Sequence, residues 1–184
     1  MLVQAHGFAV NRGIAEHVHV ELDARGGLPG FSVIGLGAGA ARDARERVQA
    51  AMLNCGFGFP RKRLTANLAC FAAAKSGSPF DLVLACCVLA VQEEIDTTRL
   101  ARVGLFAELG LGGELRPCPA VAAVAEAAGE AALAGLVVAK ADLPDARTAG
   151  RLPVVGLRSL ADVATLLAQR HPRGRAGRGR ALPG

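Results

Sequence analysis

The stretch from Gly26 to Leu53 constrains the fold of this chain more than any other part of it. It reads GGLPGFSVIGLGAGAARDARERVQAAML, a turn followed by an apolar run, a glycine-rich stretch and a patterned segment. The apolar run predicts a buried strand between Phe31 and Leu36. Small apolar residues then recur at three- and four-residue steps, which predicts a helix with one buried face. These residues are Ala41, Ala44, Val48 and Ala51.

The glycines between this strand and this helix raise the question of phosphate binding. Gly35, Gly37 and Ala40 satisfy the loose form of the dinucleotide fingerprint, in which backbone N–H groups face a pyrophosphate. The fingerprint also needs an acidic residue about 20 positions further on. No Asp or Glu occurs between Glu46 and Asp81. A tight strand-to-helix turn is therefore favoured over a nucleotide site.

A second phosphate-loop fragment is also incomplete. Lys75-Ser76 resembles the end of such a loop, but the two glycines that the loop needs upstream are missing, and no G-x-x-x-x-G-K-[ST] occurs in the chain. We therefore predict no bound cofactor and no metal site in this chain. Asp81 is expected to cap or complement the positive end of an apolar helix at Leu82–Val91, and Asp43 is expected to pair with Arg47, four residues on.

The charge distribution divides the chain into a neutral body and a basic tail. Residues 1–169 hold 16 Lys and Arg against 16 Asp and Glu. The five excess positive charges are Arg170, Arg173, Arg175, Arg178 and Arg180. From His171 onward Pro, Gly and Arg dominate, so residues 170–184 are predicted to be a disordered tail or linker.

No signal for export or membrane insertion is predicted. The N-terminus lacks a basic region followed by a long apolar run. The most apolar stretch, Leu82–Val91, is too short to span a bilayer. The five cysteines form no C-x-x-C pair and are odd in number, which favours reduced thiols. We expect a cytoplasmic protein with no membrane partner.

Three histidines fall on the first two predicted strands. Leu2–Val10 and Ile14–Leu22 are expected to form a hairpin around Asn11-Arg12-Gly13. Alternation puts His17 and His19 on one face of the second strand, and His6 is near them if it lies on the partner. A metal site needs a third ligand and a second shell, and exposed polar strand residues are the favoured alternative.

The short basic run Arg61-Lys62-Arg63 precedes a predicted strand at Leu64–Ala69. Such a run is more often the solvent-exposed start of a strand than a nucleic-acid contact. Both readings are kept, and these three residues join the five tail arginines as candidate DNA-binding residues.

The remaining patterns complete a mixture of strands and helices. Residues 103–117 predict a hairpin turning at Gly112-Gly113. Further elements are predicted at Ala120–Ala128 (helix), Leu136–Ala139 (strand), Leu152–Val155 (strand) and Leu160–Leu167 (helix). Ser159 and Asp162 have the spacing of a capping box before the last helix. The predicted class is α+β, a mixed sheet with helices packed on it.

Five stretches resemble the N-terminal domain of the magnesium-chelatase-like family, also called the YifB or ComM family. They are GGLPGFSVIGL, RERVQAAMLNCGFGFP, RLTANLA, KSGSPFDLVLA and GELRP, in this order over residues 1–169. The resemblance implies a fold similar to the Lon proteolytic domain, a two-layer type also seen in ribosomal proteins. It also implies a following ATPase module of the AAA+ type, which would use ATP and Mg and remodel DNA. That module is not in this sequence.

The similarity to Lon permits a comparison of catalytic positions. Lon's nucleophilic serine aligns with Pro79 here, and its lysine aligns near Ala122. A serine–lysine dyad needs a hydroxyl and a desolvated amine in contact. Ser78 lies one residue away, and no lysine occurs between Lys75 and Lys140.

Three functions therefore remain open. The favoured one is a non-catalytic accessory domain of a ComM-like DNA-remodelling ATPase, with DNA, the ATPase module or a second copy of the chain as partners. The others are a stand-alone nucleic-acid-binding protein acting through its arginine tail, and a degenerate Lon-like serine peptidase.

Overall fold

The computed structural model describes residues 1–69 and 79–168, and in these residues strands and helices are interleaved along the chain. The strands are β1 (Leu2–Asn11), β2 (Ile14–Arg25), β3 (Gly30–Ile34), β4 (Arg63–Ala69), β5 (Val103–Phe106), β6 (Glu108–Leu109), β7 (Leu115–Arg116), β8 (Gly135–Ala139) and β9 (Val154–Leu157). The α-helices are α1 (Ala38–Asn54), α2 (Phe80–Val91), α3 (Thr97–Leu100), α4 (Val121–Glu130), α5 (Leu143–Ala149) and α6 (Leu160–Leu167). A single 3₁₀ turn, Lys140–Asp142, leads into α5.

Seven of these strands form one mixed sheet in the order β3-β4-β2-β1-β5-β8-β9. The β1–β2 and β2–β4 pairs are antiparallel, and the other four pairs are parallel. β6 and β7 form a separate two-stranded antiparallel ladder. The predicted α+β class, a mixed sheet with packed helices, is confirmed.

The first hairpin has the geometry that its turn residues predict. Arg12 and Gly13 have φ values of 50° and 81°, the left-handed pair that a two-residue turn between right-twisted strands requires. This turn fixes the register, so that Asn11 pairs with Ile14 and His6 pairs with His19. β2 extends beyond its predicted end because its last residues, up to Arg25, pair with β4.

The Gly26–Leu53 unit is a strand, a turn and a helix, as predicted. Ala44, Val48 and Ala51 of α1 are fully buried. Gly35 has a φ of +98°, and a Cβ there would lie 2.4 Å from the carbonyl oxygen of Leu68 in β4. The turn therefore needs glycine in order to pack against the neighbouring strand.

Helices cover the two faces of the sheet unequally. α1, α2 and α6 lie on the first face, where the larger core includes Val20, Leu64 and Leu105. α4 and α5 lie on the second face, around Phe106 and Val138, where α4 packs over β2, β5 and β8 and α5 packs over β8 and β9. Over β3, β4 and the end of β2, the second face carries partly or fully exposed side chains, and we call it the open face. Its members include Glu21, Ser32, Ile34, Thr65 and Asn67.

α2 is the central helix of the first face, and all twelve of its residues are buried. It contacts β1, β2, β5, α1 and α6. Among residues 1–69 and 79–168, no helix combines the length and the apolar character needed to cross a bilayer.

Arg47 and Asp81 form an ion pair that the sequence did not predict. Asp81 does not cap α2, but it lies in the first turn of that helix, at its positive end, which was the other predicted role. Arg47 does not pair with Asp43. Instead, the Nε of Arg47 donates to Asp81 Oδ2 at 2.5 Å, and its Nη2 donates to Oδ1 at 3.3 Å. Asp81 is fully buried and Arg47 is about one-third exposed. Burial raises the pKa of Asp81 to about 6, although the bound guanidinium opposes this rise.

The region 103–117 is more divided than predicted. Val103–Phe106 enters the main sheet beside β1 and β8, and only β6 and β7 form the hairpin, around a turn that contains Gly112 and Gly113. Gly113 has a φ of +83°, and a Cβ there would lie 2.0 Å from Cys55 Sγ. The glycine thus allows the hairpin to contact the C-terminal end of α1.

The helix signals near the C-terminal end of the described chain are confirmed in detail. Ser159 accepts a hydrogen bond from the Asp162 N–H, and Asp162 accepts one from the Ser159 N–H, which completes the capping box of α6. α3 was not predicted, although Asp96 caps it by accepting from Thr98 and Arg99.

The described cysteines are unpaired thiols. Cys86, Cys87 and Cys118 are buried and Cys55 is half-buried. Burial raises the pKa of Cys87 and of Cys118 to about 12, so these thiols are protonated at neutral pH and chemically inert.

Candidate nucleic-acid interface

The predicted basic run lies on the surface at one end of the sheet. Arg61 and Lys62 are exposed in the connection that leads from α1 into β4, and Arg63 is the exposed first residue of β4. The N–H of Gly30 donates to the Lys62 carbonyl at 3.2 Å. This hydrogen bond ties the connection to the start of β3, so the basic side chains project from an anchored backbone.

Arg25, which sequence reasoning missed, joins this run. It pairs with Arg63 in the antiparallel β2–β4 ladder, and cross-strand partners project their side chains to the same face. We call the group of Arg25, Arg61, Lys62 and Arg63 the basic corner. The register could have revealed Arg25, because the length of β2 decides which residue meets the start of β4.

Acidic residues neutralise only part of the basic corner. Arg25 Nε donates to Asp23 Oδ2, and the N-terminal amine of Met1 lies 3.9 Å from Asp23 Oδ1. Within residues 1–69 and 79–168, no acidic group forms an ion pair with Arg61, Lys62 or Arg63. Three exposed positive charges therefore stand close together in a body that is neutral as a whole.

The surroundings of the basic corner favour contact with phosphates over recognition of bases. Glu21 and Asp23 place negative charge on the open face beside it, so attraction for an anion is strongest at the basic end of the sheet. Phe59, the nearest aromatic in sequence, is half-buried and packs on Phe31, with 6.0 Å between ring centroids. The Phe59 ring packs against Phe31 and is not free to stack on a base. The basic corner therefore offers positive charge to a nucleic acid, without an aromatic side chain for base stacking.

The other residues considered from sequence are placed as follows. The tail arginines Arg170, Arg173, Arg175, Arg178 and Arg180 lie outside the described residues, as do Lys75, Ser76 and Ser78. Pro79 immediately precedes α2, and Ala122 lies on α4. These two helices pack on opposite faces of the sheet. The two positions aligned with Lon's dyad are therefore carried by separate layers.

The comparison with protein families covers most of the sheet. Residues 20–142 match the family described as subunit ChlI of Mg-chelatase. The matched range runs from the second strand to the 3₁₀ turn after β8, and it includes the Gly26–Leu53 unit, α2 and the β6–β7 hairpin.

Individual relatives extend the match toward both ends. The chain is 36% identical over 177 residues to an uncharacterized protein of Mycobacterium tuberculosis, which covers 96% of this chain and 35% of that protein. It is 37% identical over 114 residues to YifB of Escherichia coli, covering 61% of this chain and 22% of YifB. It is 38% identical over 99 residues to the competence protein ComM of Haemophilus influenzae, covering 54% of this chain and 19% of ComM. The chain thus spans about a third or less of the length of these relatives, and it belongs to the Mg-chelatase ChlI-like family as an N-terminal domain of the YifB and ComM type.

Proposed function

We propose that this chain is a non-catalytic accessory domain of a ComM-like DNA-remodelling ATPase and that it contacts DNA through the basic corner and the arginine tail. Its similarity to ComM, a competence protein, supports the role in handling DNA. Its coverage of only 19–35% of these relatives supports an accessory part in a larger machine. In that larger protein the ATPase module would use ATP and Mg, and this chain would supply a surface that binds DNA.

The observation that carries the proposal is the clustering of exposed cations at one end of the sheet. Arg61, Lys62 and Arg63 are adjacent, exposed and without ion-pair partners among the described residues. Lys and Arg that neutralise phosphates release condensed counterions, and this release supplies most of the affinity of sequence-independent binding. The basic corner therefore suits a sugar-phosphate backbone, and the proposed contact is indifferent to base sequence.

The DNA contact predicts a measurable dependence on salt. For single-stranded DNA, each phosphate neutralised contributes about 0.7 to the slope of log affinity against log salt. If the three uncompensated cations of the basic corner and the five tail arginines all engage, the slope is about −5.6. Replacing Arg61, Lys62 and Arg63 with Gln in the full chain should reduce its magnitude by about 2, and replacing the five tail arginines should reduce it by about 3.5. Fluorescence anisotropy at several salt concentrations measures all three values.

A matched control separates local contact from net charge. Lys140, Arg147 and Arg151 are exposed near α5, toward the opposite edge of the sheet. Replacing these three with Gln removes the same charge as the basic-corner variant and should leave the salt slope unchanged. An equal loss in both triple variants would contradict the interface. Binding that depends on the tail alone would favour the stand-alone nucleic-acid-binding function.

The non-catalytic part of the proposal predicts that the purified chain hydrolyses neither ATP nor casein above a buffer blank. The reason is that neither a complete phosphate loop nor a serine–lysine pair occurs at the positions the family resemblance indicates. Colorimetric phosphate release and fluorescent casein cleavage measure the two activities. Casein cleavage that survives repurification and disappears in Ser78→Ala would show that the chain is a peptidase with a displaced nucleophile.

A further inference from the structure

Three imidazole rings meet on the first hairpin, at the border between the open face and the part of the second face that α4 covers. His6 of β1 pairs with His19 of β2, and His17 pairs with Phe8. The hairpin register therefore places all three histidines on the same side of two adjacent strands. One ligand nitrogen from each ring lies within 4.8 Å of the other two.

Hydrogen bonds orient two of the three rings. His6 Nε2 donates to the Ala101 carbonyl at 3.0 Å, which leaves His6 Nδ1 as an acceptor facing His17 Nε2 at 2.9 Å. A metal-binding histidine typically donates its second nitrogen to a carbonyl or carboxylate in this way, which fixes the ring and the tautomer. His6 thus has its outer-shell partner, supplied by the segment just before β5.

The environment of His6 and His17 favours the neutral imidazole, which is the form that binds metals. Burial lowers the pKa of His6 and lowers that of His17 to about 4, and the neighbouring rings repel added charge. The Phe8 ring, 5.7 Å from His17 between centroids, forms an apolar wall on one side. His19 is exposed on the other side. The group is therefore walled on one side and open to solvent on the other.

We propose that His6, His17 and His19 bind a divalent transition-metal ion, Zn²⁺ in particular, with the fourth position open to solvent. Zn²⁺ takes nitrogen ligands at about 2.0–2.1 Å in tetrahedral geometry, which puts neighbouring ligand atoms about 3.4 Å apart. His6 and His17 must separate slightly, and the exposed His19 ring must move inward by up to about 1.5 Å, within the reach of a side-chain rotation. An imidazole set favours Zn²⁺, Ni²⁺ or Cu²⁺ over Mg²⁺ and Ca²⁺, which prefer oxygen.

The ion would join neighbouring strands at a point remote from the basic corner. β1 supplies one ligand and β2 supplies two, and the Ala101 carbonyl connects the site to the segment before β5. Because the ion binds the folded arrangement and not the separated residues, it should raise the stability of the domain. The proposal is independent of DNA binding, since none of its residues belongs to the basic corner.

The test is calorimetric titration of the full, chelator-treated chain with ZnCl₂. We expect one equivalent of Zn²⁺ to bind, in the presence of a millimolar excess of Mg²⁺. At Zn²⁺ about a hundredfold above its dissociation constant, the melting temperature should rise by about 5–10 °C. His19→Gln, at an exposed position that leaves the fold intact, should weaken Zn²⁺ binding by at least about tenfold and reduce the thermal shift at the same Zn²⁺ concentration by about half or more. His17→Gln should do the same.

His171→Gln is the matched control, because it removes the remaining histidine of the chain outside this cluster. It should bind Zn²⁺ as tightly as the unmodified chain. The proposal is overturned if the unmodified chain binds no stoichiometric Zn²⁺, if His19→Gln and His17→Gln bind it undiminished, or if His171→Gln loses as much affinity as they do. Displacement of bound Zn²⁺ by Mg²⁺ would equally contradict an imidazole site.

Discussion

Arg47→Met is expected to lower the free energy of unfolding by about 3–5 kcal/mol at pH 8, because it leaves a buried carboxylate without its counter-ion. Asp81 is fully buried at the start of α2, and both of its oxygens accept from the Arg47 guanidinium. Methionine fills a similar volume but donates no hydrogen bond. The expected loss of stability is therefore electrostatic. Urea denaturation followed by circular dichroism measures the free energy of unfolding.

The same variant should recover part of its stability at pH 5. Burial already raises the pKa of Asp81 from 3.8 to about 6 in the folded chain, and removing the opposing guanidinium raises it further. A carboxyl whose pKa is higher in the folded state than in the unfolded state takes up a proton on folding between the two values. Lowering the pH through that window favours folding, and it does so more in Arg47→Met than in the unmodified chain. The stability difference between the two should thus be smaller at pH 5 than at pH 8.

Two further variants identify the cause. Arg42 lies on the same helix and forms only an exposed pair with Asp43, at 3.7 Å, so Arg42→Met should change stability by less than about 0.5 kcal/mol. Adding Asp81→Asn to Arg47→Met removes the buried charge and should restore part of the lost stability. Equal effects of Arg42→Met and Arg47→Met, or a cost that does not depend on pH, would show that Asp81 does not need this partner.

This pair shows which contacts sequence patterns reveal. The i, i+4 rule considers one helix at a time, and it assigns Arg47 to Asp43 because both lie on α1. The actual partner is 34 residues away, and it is reached only because α1 and α2 pack side by side on the first face. Desolvation decides which carboxylate Arg47 binds. Leaving the fully buried Asp81 without a hydrogen-bond donor would cost far more free energy than leaving the exposed Asp43 without one.

Sequence patterns that depend on local geometry predicted the structure correctly. The spacing of Ala44, Val48 and Ala51 gave the buried face of α1, and Ser159 with Asp162 gave the start of α6. The turn at Arg12-Gly13 even fixes the pairing of His6 with His19, because a two-residue loop leaves a single register.

Contacts between residues that are distant in sequence could be found only in the folded sheet. The Ala101 carbonyl that orients His6 is 95 residues away in sequence, and no side-chain pattern identifies a backbone acceptor. The proximity of Arg25 to Arg63 depends on how far β2 extends along β4. The need for glycine at position 35 likewise comes from Leu68 on another strand, so a motif of glycines alone resembled a nucleotide site.

The largest effect on the fold is expected from Val48→Asp on α1. Val48 has no exposed surface and belongs to the core of the first face, with Ala44 and Ala51 on the same side of the helix. The variant loses the apolar burial of the valine, about 1.5–3 kcal/mol, and also places a carboxylate where no donor is positioned for it. Together these costs approach the 5–15 kcal/mol that holds a typical domain folded.

A thermal melt compares Val48→Asp with Gln49→Asp, which introduces the same residue at the adjacent, exposed position. Both variants carry the same cost of aspartate in a helix interior, so their difference isolates burial. Gln49→Asp should melt within a few degrees of the unmodified chain. Val48→Asp should be unfolded at room temperature or melt at least about 10 °C lower. Similar melting temperatures would mean that α1 does not dock on the sheet through this face, and the pairing of Arg47 with Asp81, which depends on the same docking, would then have to be abandoned as well.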